Sequence, residues 1–158
     1  YDDAPFNMEF FYDRRANTVT LLEVNTRCSK SHSPLFHRVD GASHFQVMVR
    51  LGLGEAPEFP HREGDVPIAA KFMLRVFRHG IVQRVPSSDD IAALYERFPE
   101  ARLRVLVEEG QDLNALRFQD SYSYELAEIF LGGSNQSDLL ARYRQALKIL
   151  NFQIRESS

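Results

Sequence analysis

Several things are scarce in this sequence, and each scarcity excludes something. There is one cysteine, Cys28, so no disulfide can form within the chain. A disulfide-stapled scaffold is excluded, and a reducing compartment, the cytoplasm, is the expected location. There is no basic excess: 19 Lys and Arg stand against 22 Asp and Glu, for a net charge of -3. A general nucleic-acid binder carries a positive footprint, so no nucleic-acid partner is expected. No apolar run approaches the ~18 residues that a membrane helix needs, so no membrane partner is expected either. Lysine is confined to Lys30, Lys71 and Lys148, none of them in a glycine-rich phosphate loop. What remains is ordinary: 158 residues, 44% hydrophobic and 26% charged. That suits one globular domain or two small ones and excludes a disordered chain.

The pattern along the chain predicts an α+β protein in two parts. Residues 6–12 are aromatic-rich and residues 18–25 are β-branched, so they read as two strands of an antiparallel hairpin around the polar turn 13–17. A polar segment, 26–34, follows. Residues 40–51 read as a helix with Asp40 as its N-cap, stopped by Gly52 and Gly54. The Pro- and Gly-punctuated stretch 56–64 marks a boundary between residues 1–60 and 61–158. Beyond it, strands are expected over 68–77, 81–85, 102–108 and 121–131, with Gly132-Gly133-Ser134 ending the last. A helix over 89–98 is capped by Ser87 or Ser88. A final helix, opened by Asn135 or Ser137, reaches Leu150 with Leu139, Leu140, Tyr143, Leu147 and Leu150 on one face. The start at Tyr1-Asp2-Asp3 shows no signal-peptide pattern, and strand-like residues begin by Phe6. The expectation is a C-terminal portion of a longer protein.

The hairpin holds the residues with chemical interest. Strand residues two apart share a face. Glu23 and Asn25 therefore point the same way, with Arg27 continuing their line, and Glu9 shares a face with Asn7 and Phe11. Met8, Phe10, Leu22 and Val24 form the other face and read as core. Two carboxylates side by side repel, and a hard cation removes that repulsion. Mg²⁺ takes oxygen ligands from one or two carboxylates plus substrate phosphates, so the pattern suits a nucleotide–metal site. An ordinary solvated strand face is the competing reading.

Glu9 in Asn7-Met8-Glu9-Phe10, followed by Leu22-Glu23-Val24-Asn25-Thr26-Arg27, resembles the metal-binding end of the ATP-grasp fold. Biotin carboxylase, carbamoyl-phosphate synthase and D-alanine–D-alanine ligase share that pattern, and the likeness covers about residues 5–57. It implies a fold made of the C-terminal part of an ATP-grasp domain, followed by a small α+β domain with an antiparallel sheet and two helices. It implies Mg²⁺, or Mn²⁺ in its place, held by Glu9, Glu23 and Asn25. Glu23, Asn25 and Arg27 would meet ATP, and Arg27 would be the catalytic residue facing the transferring phosphoryl group or the acyl phosphate. A guanidinium suits that role because its planar fork matches phosphate oxygens. Family members activate a carboxylate, or bicarbonate, as an acyl phosphate that a nucleophile, often an amine, then attacks. The expected partners are thus a small carboxylate and an amine.

Biotin carboxylases continue Asn-Thr-Arg-x-x-Val-Glu-His, with the Glu as base on bicarbonate. Here Ser31 stands at that position, and a serine cannot do that work. An organic carboxylate is therefore the expected substrate, with an ATP-using carboxylase as the rival enzyme. Lys30 and His32 either help to bind it or belong to a solvated loop. The alternative to an enzyme is a non-catalytic binding or dimerisation module, with a homodimer through residues 61–158. Ala70-Lys71-Phe72 is no biotinylation turn, since it lies in an apolar strand pattern. Cys28 is either activated by Arg27 and Lys30 or an incidental small residue.

Overall fold

A computed structural model describes residues 4–116 and 122–156. Contacts divide the chain into two compact units, with the division between Asp65 and Val66.

The first unit contains an antiparallel hairpin and two helices. Strand β1 (Asn7–Asp13) pairs with β2 (Thr18–Asn25). The turn between them is held by Asp13, whose Oδ1 accepts the N–H groups of Arg15 at 2.8 Å and Ala16 at 3.2 Å. The ladder is interrupted once: Glu9 faces Glu23, but Phe10 faces Leu21, leaving Leu22 as an extra residue on β2. Such a bulge locally raises the twist of a ribbon.

The helices differ from expectation. The polar segment 26–34 runs into α1 (Ser33–Asp40), which has a proline in its first turn, where the missing N–H costs nothing. Asp40 therefore ends a helix instead of starting one. Gly41, at φ 89, closes α1 in the left-handed conformation and donates its N–H to His37 O at 3.0 Å. The second helix, α2 (His44–Gly52), starts at Ser43, whose N–H is taken by the Gln46 side chain at 2.6 Å. Asp40 is buried and accepts the Arg62 N–H at 2.9 Å, tying the later loop to the end of α1.

A second expectation also fails. Met8, Phe10, Leu22 and Val24 are not core: they are 46%, 53%, 62% and 47% exposed. A two-stranded ribbon has no second layer of its own, and none of the described residues buries this face.

Among the described residues, every fully buried hydrophobic side chain lies in the second unit. Its sheet has the order β3–β6–β5, all antiparallel, from β3 (Ile68–Val76), β6 (Tyr124–Gly133) and β5 (Arg102–Val105). Helices α3 (Ser88–Arg97) and α4 (Gln136–Leu150) supply Leu94, Leu139, Ala146 and Leu150 to a core completed by Phe98, Ile129 and Leu131. Phe72 stacks on Tyr143 with centroids 4.0 Å apart. Ser87 caps α3 and Asn135 caps α4, each as one of the two candidates in the sequence.

Four features of this unit depart from the sequence reading. Gly132 and Gly133 do not break β6; they are its last residues. A Cβ at Gly132 would lie 2.6 Å from Val66 Cγ1, and one at Gly133 would lie 3.0 Å from Leu139 Cβ, so the glycines serve close packing. Leu140 sits off the buried face of α4 and is exposed. Strand β4 (Ile81–Arg84) pairs with β7 (Gln153–Arg155), a C-terminal strand too short to announce itself. Strand β5 ends at Val105, earlier than expected. Ser121, at the start of the expected fourth strand, lies outside the described residues.

Candidate functional site

The open end of the hairpin gathers the polar residues singled out in the sequence. The register sets Asn7 opposite Asn25 and Glu9 opposite Glu23. Directly paired residues share a face, so two amides and two carboxylates occupy one side of the ribbon. The Asn25 Nδ2 donates to Glu23 Oε1 at 2.7 Å and to Asn7 Oδ1 at 3.2 Å. The Arg27 Nη2 donates to Asn25 Oδ1 at 3.2 Å, so Arg27 does continue the line beyond the end of β2. Asn25 is thus the junction of a hydrogen-bonded chain that runs from Asn7 and Glu23 to Arg27.

The chemistry of this donor set is uniform. Two carboxylates and an amide oxygen are hard ligands, suited to Mg²⁺ and not to a soft metal. Among the described residues no group of three or more His, Cys, Asp or Glu side chains could hold a metal ion. An ion here would therefore complete its shell with amide, water or substrate oxygens, which is the ordinary habit of Mg²⁺. Like charges opposite one another on a ladder are destabilising, and a cation between Glu9 and Glu23 relieves that cost.

The loop after Arg27 leads into α1. Ser29 accepts the Ser33 N–H on its backbone oxygen at 3.1 Å. Lys30, Ser31 and His32 are exposed. Cys28 Sγ contacts Met48 Sδ at 3.3 Å, which pins the loop to α2. Burial pushes the Cys28 thiol upward, against the activation that the nearby cations suggested. The imidazole of His44, packed against Phe36 with centroids 4.2 Å apart, is pushed down, first by burial and then by His32. A groove of about 810 Å³ lies between α2 and residues 58–63, lined in part by Phe45, Val49 and Phe59. None of Glu9, Glu23, Asn25 and Arg27 lines it. The carboxylate pair is instead a patch on an open ribbon.

No family profile matches the chain. Urea amidolyase of Saccharomyces cerevisiae is 26% identical over 142 residues, 89% of this chain and 7% of that protein. The crystal structure of Kluyveromyces lactis urea carboxylase superposes with a TM-score of 0.56 at 21% identity, covering 94% of this chain and 13% of that one. The biotin carboxylase domain of Hydrogenobacter thermophilus 2-oxoglutarate carboxylase, solved as a dimer with MgADP and bicarbonate, gives 0.58 at 16% identity, with 94% and 32% covered. The fold is that of the C-terminal part of a biotin carboxylase. This α+β arrangement of hairpin, helices and antiparallel sheet agrees with the ATP-grasp resemblance read from the residues. The chain spans only 7% of the length of that curated relative.

Sequence reasoning missed one member of the site. Asn7 shares the face of Glu9 by alternation, which is visible in the sequence. Its partnership with Asn25 depends on the register of the hairpin, which is not.

Proposed function

We propose that this chain is the metal-binding end of an ATP-dependent ligase. That ligase activates a small organic carboxylate as an acyl phosphate, which an amine then attacks. The observation that supports this reading most is the pairing of Glu9 with Glu23 across the hairpin, with Asn25 and Arg27 in hydrogen-bonded series beside it. Glu9, Glu23 and Asn25 would hold Mg²⁺, with Mn²⁺ as a substitute. The chemistry such an ion supplies is neutralisation of charge on the ATP phosphates. Arg27 binds and orients the phosphoryl oxygens. Its hydrogen bond to Asn25 Oδ1 holds the guanidinium at the end of the site, and its positive charge is matched to charge that grows during transfer. Residues 1–60 belong to the ATP-grasp part of the enzyme, and 61–158 form its C-terminal α+β domain. The uncovered apolar face of the hairpin fits this reading, because it offers a surface for the rest of an ATP-grasp sheet.

A carboxylase is the second reading, favoured by the carboxylases among the structural neighbours. Ser31 argues against it, since a neutral hydroxyl cannot act as base on bicarbonate. The two are separated by assaying ADP release from the parent enzyme with Mg-ATP, once with carboxylate–amine pairs and once with labelled bicarbonate. Amine-dependent turnover with no label fixed is expected. Glu23→Gln should lower that turnover at least about 10²-fold, the scale on which electrostatic stabilisation acts, and leave the far-UV spectrum unchanged. Undiminished turnover in Glu23→Gln would reject the site.

A further inference from the structure

We infer that the groove between α2 and residues 58–63 binds a small organic ammonium ion, a primary amine carried on an aromatic body. This stands apart from the metal reading, because Glu9, Glu23, Asn25 and Arg27 do not line the groove. Its volume of about 810 Å³ falls within the range of small-molecule sites.

Both walls are set before a ligand arrives. One wall is α2, where Phe45 and Val49 lie one turn apart and so share a face. They are 46% and 61% exposed, so neither is used up in the packing of the unit. The other wall is the segment 58–63, which backbone and ring contacts hold in place. Asp40 Oδ1 accepts the Arg62 N–H at 2.9 Å, and Gly64 donates its N–H to Val39 O at 3.0 Å. The Phe59 ring packs against Phe36 and His44, with centroids 6.0 Å and 5.8 Å apart. A site that is already shaped loses little to ordering when it is filled.

The sign of the ligand follows from the charges along the groove. Arg50 of α2 meets Glu58 of the facing wall at 3.8 Å, so these two offset each other. Glu63 also lines the groove, and among the described residues it has no ion pair. A negative charge is left over. Phe45 and Phe59 add to the preference, since the face of a phenyl ring attracts a cation. Apolar side chains for the body and a carboxylate for the head describe an arylalkylammonium ion, and phenethylammonium is a suitable probe.

The test titrates the whole ¹⁵N-labelled chain at neutral pH with phenethylammonium, with neutral phenethyl alcohol and with the carboxylate hydrocinnamate. All shifts should fall on the amide signals of Ala42, Phe45, Val49 and Phe59. The ammonium should show the lowest dissociation constant and the carboxylate the highest. Val49→Trp fills the groove from an exposed helix position and should remove the shifts. Glu63→Gln should raise the ammonium dissociation constant about threefold, the scale of an exposed ion pair, and leave that of the alcohol unchanged. The alcohol separates loss of charge from a change of shape. Equal binding of ammonium and carboxylate, or shifts that persist in Val49→Trp, would overturn the inference. So would a Glu63→Gln variant that leaves the ammonium unaffected or weakens the alcohol as much.

Discussion

At the scale of single residues, two carboxylates show how local hydrogen bonding becomes acid sensitivity. Asp90 is held below the usual carboxylate range first by the Ser87 backbone N–H, then by the Ser87 hydroxyl and Arg84. Asp138 is lowered in the same way by Ser134, with Arg142 adding to it. Both groups bind a proton less readily folded than unfolded. Their contribution to stability is therefore present above the unfolded value near 3.8 and is lost as pH falls through the lowered values. The urea midpoint of the second unit should fall between about pH 5 and about pH 2, and the double variant Asp90→Asn, Asp138→Asn should flatten that slope. An equal slope in the variant would reject the assignment. Both aspartates were legible as cap-region residues from Ser87-x-x-Asp90 and Ser134-x-x-x-Asp138. Arg142 lies one turn after Asp138 on α4, a local pair, whereas the place of Arg84 was not legible, because its guanidinium also bonds the Asn151 carbonyl at 2.7 Å, far along the chain.

At the scale of elements, the sequence was most readable where a pattern is long and local. The hairpin, α3 and α4 follow from alternation, helical spacing and capping residues within one segment. It was least readable where geometry depends on a remote neighbour. Gly132-Gly133 looks like a terminator, yet its role is set by Val66 and Leu139. β7 is three residues long and exists because β4 offers it an edge. Asp40 looks like an N-cap, yet Gly41 after it and Ser43 beyond decide where one helix ends and the next begins. Of the candidate site, the shared line of Glu23, Asn25 and Arg27 could be read from alternation, whereas the pairing of Asn7 with Asn25 and of Glu9 with Glu23 needed the cross-strand register. The glycine argument can be checked directly. Gly132→Val inserts branches where Val66 already stands and should cost about 1–3 kcal/mol, the usual penalty of overpacking. Thermal unfolding of Gly132→Val beside Val66→Ala, Gly132→Val measures it; partial recovery in the double variant is expected, and no recovery would mean that Val66 is not the obstacle.

At the scale of the whole molecule, the two units differ in how much each can bury by itself. The second owns two hydrophobic clusters, one around Phe98, Ile129 and Leu131 and one around Val82, Leu113 and Leu126. The first buries only Ser33 and Asp40 among its described residues and leaves a row of large side chains in water. Residues 66–158 expressed alone should therefore unfold in urea in one cooperative transition, with dispersed amide signals beforehand. A broad, non-cooperative loss of structure would show that this unit depends on the first. The uneven burial also predicts where an apolar dye binds. The full chain should take up ANS, and Phe10→Lys with Leu21→Lys should remove most of that signal. None of the described helices is long and apolar enough to cross a membrane, so the exposed hydrophobic face is not part of a spanning helix.

The extra residue in β2 bears on how the gene can vary. Every cross-strand pair from Asn7 with Asn25 to Asp13 with Thr18 is made without Leu22. Removing that one codon in frame would close the ladder into a regular one and keep all of those pairs, with Glu9 still opposite Glu23. Removing the codon of Glu23 or Val24 would leave Asn25 opposite Asn7 but set Leu22 opposite Glu9, so the pairing of the two glutamates would be lost. Length variation in this ribbon therefore has one tolerated position, and chains that are one residue shorter between the two glutamates can present the same polar face.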